Sequence, residues 1–154
     1  MSSIQAKLTE LGIKIPSIPK PTAAYVPGRI VGNLVFVSGQ TPTVDGKLMY
    51  RGKVGRDLTV EQGYDAARLA ALNCLAELEM VLGSLDYVKS IVKVNGYVSS
   101  EENFNDQPKV VNGASELLES VFGEAGSHSR IALGTNELPG GAPVEIELIA
   151  EIET

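Results

Sequence analysis

Between Val144 and Ile152 the chain alternates without a break, Val144, Ile146, Leu148, Ala150 and Ile152 against Glu145, Glu147, Ile149 and Glu151. A period of two is the signature of a β-strand, because successive side chains leave the backbone on opposite faces. A strand over Pro143–Glu153 with one wholly apolar face cannot stand alone. It needs a sheet beside it and a layer over its apolar side. The run from Thr59 to Gly83 supplies that layer. Thr59 is placed to cap a helix, and Glu61 and Gln62 favour its first turn. Tyr64, Ala67, Ala71, Cys74, Leu75, Leu78 and Leu82 recur at helical spacing, while Arg68, Glu77 and Glu79 are expected to reach solvent. Alanines on that stripe permit close approach to a sheet.

The other elements follow from the same two periods. Arg29–Ser38 reads as two short strands around the turn pair Gly32-Asn33. Thr43 to Asp57, with Asp45-Gly46 and Gly52, reads as a loop with a short strand near Leu48. Val88–Ser99 reads as a strand, with Val92, Val94 and Val98 alternating against Lys93, Asn95 and Tyr97. A second helix is expected from Asp106 or Pro108 to Gly123, its stripe Val111, Ala114, Leu117, Leu118 and Val121. Ser129–Thr135 is another strand. The order ββαβαββ describes an α+β fold, a mixed sheet with helices on one face. Ahead of it, Ser2 to Gly12 reads as a short helix with Leu8 and Leu11 on one side. Pro16, Pro19 and Pro21 then make an extended arm. The chain thus divides into an arm over residues 1–21 and one domain over residues 22–154.

Composition bounds the function. The 154 residues suit one core, and 44% hydrophobic with 21% charged residues is ordinary for a globular protein. No run nears the roughly 18 apolar residues of a membrane span, and MSSIQAKLTELG lacks a secretory h-region, so a cytoplasmic protein is expected. A net charge of −6 disfavours a broad nucleic-acid or anionic-membrane surface. One cysteine and one histidine give no internal disulfide and no His/Cys metal cluster. Cys74 lies in the apolar stripe of its helix and is expected in the core.

Three groups invite chemistry. Arg130, early in its strand, offers a planar fork that fits both oxygens of a small carboxylate, or it simply solubilises a strand end. Glu145, 15 residues later, comes beside Arg130 if their two strands pair through GTNELPGGAP. There it would position or deprotonate water. The rest of its face, if Ile149 is partly buried, is expected to be covered by another subunit. His128 sits between Ser127 and Ser129. Adjacent residues do not make a triad, so it is expected to be structural or merely next to a pocket. Gly134, Gly140 and Gly141 lack the strand–turn–helix setting of a nucleotide fingerprint.

At VSGQTP, VNGASELLESVFG and SR…LPGGAPVEIELIAEI the chain resembles the reactive intermediate deaminases, also called Rid or YjgF-like proteins, over residues 22–152. SGQ alone is unspecific. Its order with the late arginine, the Leu-Pro pair and the EIE strand is not. The resemblance implies a chorismate-mutase-like α+β fold, a homotrimer with clefts between subunits, and hydrolysis of enamines and imines such as 2-aminoacrylate and 2-iminopropanoate to 2-oxo acids and ammonia, without a metal or organic cofactor. It places Arg130 on the carboxylate-binding arginine and Glu145 on the water-associated glutamate. Tyr25, Ser38 and Asn112 fall on other pocket positions, Asn112 with one residue inserted before Arg130. Backbone groups of Gly39 and Ala132 are candidates to meet developing polarity. Three features depart from the archetype. Ala132 replaces a common cysteine, GEAGSHSR replaces an aromatic-Pro-Ala-Arg approach, and the amino-terminal helix and arm lengthen the chain, so a divergent subgroup is expected. Two rivals to deamination remain: a trimer that binds 2-oxo acids without turnover, and an endoribonuclease, against which the acidic balance and eight aromatic residues argue.

Overall fold

The computed structural model describes residues 3–20 and 22–154. Ser2 and Pro21, assigned above to the first helix and the arm, lie outside the described residues. The elements are α1 (Ser3–Leu11), β1 (Gly28–Val31), β2 (Leu34–Gln40), β3 (Thr43–Val44), β4 (Lys47–Leu48), α2 (Val60–Leu82), β5 (Val88–Ser99), α3 (Gln107–Phe122), β6 (Ser129–Thr135) and β7 (Val144–Ile152). The main sheet has the order β1-β2-β7-β5-β6, antiparallel except for the parallel pair β5–β6, and β3–β4 is a separate hairpin. This is the mixed α+β architecture that the alternation and the two amphipathic stripes predict.

Local chemistry explains the boundaries. Thr59 caps α2 by accepting from the Gln62 amide at 3.1 Å, while the Gln62 side chain accepts from the Thr59 amide at 2.9 Å. Gly83 ends α2 at φ 84°, a conformation glycine adopts without cost. α3 starts after Asp106, which makes no side-chain cap, with Pro108 in its first turn. Asp86, in the short turn after α2, accepts from the Ile4 amide at 3.0 Å and so holds the start of α1. Of the two leucines on α1, Leu8 is buried in the core and Leu11 is exposed.

α2 and α3 lie on one face of the sheet. Val144, Ile146, Leu148, Ala150 and Ile152 are all buried beneath them, with Val35, Val37, Val94 and Val98 from the neighbouring strands. Two details differ from the sequence reading. A register shift between Ile91 and Lys93 turns Ile91 into the core and leaves Val92 exposed, so alternation runs only from Val94 onward. α2 is buried at every position from Ala70 to Leu78, and Glu77, expected in solvent, is buried with them. Its helix lies against both the sheet and the segment after β2, so no outward face remains there.

Candidate functional site

The pairing of strands decides which groups can meet. Arg130 and Glu145 do not come together in one chain, because β6 and β7 are not neighbours and β5 runs between them. Arg130 pairs with Val94, a core residue under the helices, so its side chain lies on the helix-covered side at the free edge of the sheet. Glu145 pairs with Tyr97 and sits between core residues Val144 and Ile146, so it projects from the opposite face. The chain therefore presents two separate groups of candidate residues.

The first is a hollow of about 300 Å³ lined by Asn112, Ser115, Glu116, Glu119, His128 and Arg130. Arg130 is half-buried there. Its Nη1 donates to Ser115 Oγ at 3.0 Å and its Nη2 to the Pro108 carbonyl at 3.3 Å. A guanidinium has five N–H groups, so three remain for a ligand, enough for a two-point grip on a carboxylate. Among the described residues no carboxylate forms an ion pair with it. Asn112 is on α3, one turn before Ser115. Ala132, two residues along β6 from Arg130, packs partly against the core.

The second lies around the end of β2. Glu145 is half-buried, and burial, then the adjacent Glu147 carboxylate, push it above the ordinary range of a glutamate. Glu147 is partnered by comparison, its Oε1 accepting from Asn95 Nδ2 at 3.0 Å and Tyr97 Oη at 2.9 Å. Among the described residues Glu145 makes no hydrogen bond or ion pair. It packs against Gly39, where an added Cβ would stand 2.8 Å from Glu145 Oε2. Gly39 and Tyr25 also line a hollow of about 240 Å³ with Gln40 and Glu77. Tyr25 is exposed. Ser38 donates to the Val26 carbonyl at 2.5 Å, so it ties the segment carrying Tyr25 to β2. A larger open groove of about 830 Å³ at the far end of β5 and β6 holds Lys53, Arg56, Glu101, Glu102 and Glu137. Its lysine donates to the Asn136 carbonyl and pairs with Glu137 at 3.6 Å, while its arginine pairs with Asp57 at 3.0 Å.

Residues 5–152 match the family model described as "YjgF/chorismate_mutase-like, putative endoribonuclease". The chain belongs to the YjgF/chorismate mutase-like family. Protein TCP17 of Trypanosoma cruzi is 43% identical over 150 residues, covering 97% of this chain and 94% of that one. The crystal structure of protein Atu1372 of Agrobacterium tumefaciens, of unknown function, is similar at 43% identity and a TM-score of 0.89, covering 98% and 92%. A 2-iminobutanoate/2-iminopropanoate deaminase of Dermatophagoides farinae is 33% identical over 142 residues, covering 92% and 95%.

Against that YjgF-like background, the sequence reading missed four groups. Ser115 joins Arg130 to His128, whose partner is therefore a residue of α3 and not the flanking Ser127 or Ser129. The polar spacing Asn112, Ser115, Glu116, Glu119 along α3 was the available signal. Asn73 and Glu77, one turn apart on α2, are buried behind the end of β2, and Asn73 holds the carbonyls of Thr41 and Thr43 at 3.0 Å each. Tyr97 belongs to the glutamate face through its bond to Glu147. Cys74 is buried as expected, and burial pushes its thiol far above the range of a reactive cysteine. Among the described residues no helix is long and apolar enough to cross a membrane.

Proposed function

We propose that this protein hydrolyses 2-imino acids, with Arg130 of one copy and Glu145 of another forming each cleft. The observation that carries this reading is the Glu145 carboxylate, half-buried, pushed upward and without a hydrogen-bond partner among the described residues, beside a sibling glutamate whose Oε1 accepts two hydrogen bonds. A site that only binds 2-oxo acids has no use for a lone basic carboxylate, since it would repel the ligand. The kinship with a protein named as an iminobutanoate/iminopropanoate deaminase points the same way.

In this reading the Arg130 fork holds the substrate carboxylate and so fixes the C=N carbon. Glu145 takes a proton from a water as that water adds to the carbon. That proton passes to the nitrogen to complete the carbinolamine, and as the C–N bond breaks the carbinolamine's hydroxyl proton follows through Glu145, so ammonia leaves and a 2-oxo acid remains. Imine plus water thus gives ketone plus ammonia, and Glu145 ends as it began. A carboxylate of raised pKa suits both halves of this shuttle. The opposite placement of the two groups within one chain requires a second copy, and a homotrimer is the assembly we propose. An RNA substrate has little support, given a net charge of −6.

Glu145→Gln separates catalysis from binding. Hydrolysis of 2-iminopropanoate should fall by about 10²–10⁴-fold, the usual worth of a general base, while pyruvate still binds. Undiminished hydrolysis would refute the assignment.

A further inference from the structure

We propose that His128, acting through Ser115, is a positioning residue that holds the Arg130 guanidinium in the orientation it shows a ligand carboxylate; this rests on the role given to Arg130 above. His128 Nδ1 lies 2.6 Å from the Gly126 carbonyl oxygen. That oxygen can only accept, so in the neutral ring the proton sits on Nδ1 and Nε2 is bare. Nε2 then accepts from Ser115 Oγ, 2.9 Å away. With its one proton committed, Ser115 faces Arg130 Nη1 at 3.0 Å with lone pairs alone. The chain has a single direction, from Arg130 to Ser115 to His128 to Gly126, and each donor meets an acceptor.

Its far end is firm. Gly126 is buried, and a Cβ there would come 2.3 Å from the Leu118 carbonyl oxygen, so the turn Gly123–Gly126 lies directly on the backbone of α3. The imidazole is therefore held by backbone and not by a mobile side chain. Another serine of the same helix shows what Ser115 would do alone. Ser120 donates to the carbonyl four residues back, Glu116, at 2.8 Å. That back-bond is the habitual choice of a mid-helix serine. His128 diverts Ser115 from the equivalent bond to Val111, and this diversion keeps its lone pairs toward Arg130. The Pro108 carbonyl, on the first turn of α3, provides the guanidinium's second anchor. Glu116 and Glu119 border the same hollow, without an ion pair to Arg130.

His128 is the chain's one histidine, so its ring nitrogens give a single unambiguous pair of NMR signals. In the free full-length protein the expected result is the Nδ1–H tautomer, with the Nε2 signal moved by Ser115→Ala. Rotation of the Arg130 guanidinium, assigned through Arg130→Ala, should quicken about fivefold or more in Ser115→Ala and His128→Ala. His128→Gln, whose amide oxygen can take the place of Nε2, should stay near the native rate. An Nε2–H tautomer, or equal rotation in all variants, would overturn the proposal. Pyruvate affinity then reads the consequence, a Kd raised about tenfold in the two alanine variants and restored in His128→Gln. An unchanged Kd with a freed guanidinium would overturn the positioning role. Pyruvate that fails to bind the native protein would instead strike at the function proposed for Arg130, leaving the tautomer and rotation results to decide the hydrogen-bond chain on their own.

Discussion

Replacing Gly39 by alanine perturbs Glu145 while leaving every side chain assigned to the chemistry in place. Gly39 is not at positive φ, so its backbone accepts an alanine. The new methyl would stand 2.8 Å from Glu145 Oε2 and 3.2 Å from Cδ, where ordinary contact begins at 3.4 Å. The carboxylate must retreat by about 0.6 Å, and since a 1 Å misplacement can cost about 10²-fold, the loss in kcat/KM for 2-iminopropanoate should be roughly tenfold. Stability should change little. The clash falls on the free end of a flexible side chain, which puts the overpacking cost at about 1 kcal/mol. Stiffening the unfolded chain returns about 0.4–1 kcal/mol, so Tm should move by no more than about 4 °C. The assay is the initial rate of imine loss together with a melting curve, for Gly39→Ala alone and in a Glu145→Ala background. The loss should vanish in that background, because the alanine then has no carboxylate to displace. A tenfold loss that persists without Glu145, or full activity with the methyl in place, would refute the argument.

The two half-sites make a stronger prediction about assembly. Mixing Arg130→Ala and Glu145→Ala chains, each strongly impaired alone, under conditions that exchange subunits should restore about a quarter of native activity per cleft by random pairing. No recovery in mixed oligomers would mean that the cleft is not shared between copies. The raised Glu145 also sets a pH profile. As the carboxylate is the active base, kcat/KM should climb with pH through a midpoint above the ordinary 4.5 of a glutamate, and this limb should disappear in Glu145→Gln. Glu77 has its pKa raised by burial, which a hydrogen bond from Gln40 only partly opposes. A carboxyl with a higher folded than unfolded pKa binds more protons when folded, so its contribution to stability is lost as pH rises through the folded value. Glu77→Gln should therefore raise Tm at neutral pH and bring no comparable gain below pH about 4.5, as measured by thermal melts across pH.

Most of the fold was legible because the deciding signals are local. The Thr59–Gln62 box and Gly83 bracket α2 within a residue, and VEIELIAEI announces both a strand and the side to be covered. What failed was long-range. Sequential strands commonly pair, and Glu145 comes beside Arg130 within one chain only if the strands on either side of GTNELPGGAP do so. The sequence held the contrary clue, since β5, α3 and β6 form a strand–helix–strand unit, which makes β5 and β6 parallel neighbours and moves β7 away. Glu77 misled because periodicity assumes a helix with one wet face, and α2 has none between Ala70 and Leu78. His128 stands out as the one histidine and lines the Arg130 hollow, in keeping with a residue that is structural or next to a pocket, but its flanking serines say nothing of its partner. Its true partner is 13 residues away on α3, at a spacing that carries no local pattern.

The most direct test of the account is the decay of freshly generated 2-iminopropanoate, followed with the native protein, with Arg130→Ala and with buffer alone. The account predicts faster decay with the native chain, and decay close to the buffer rate with Arg130→Ala despite an unaltered melting temperature. Equal acceleration by both proteins, or none by the native one, would contradict it.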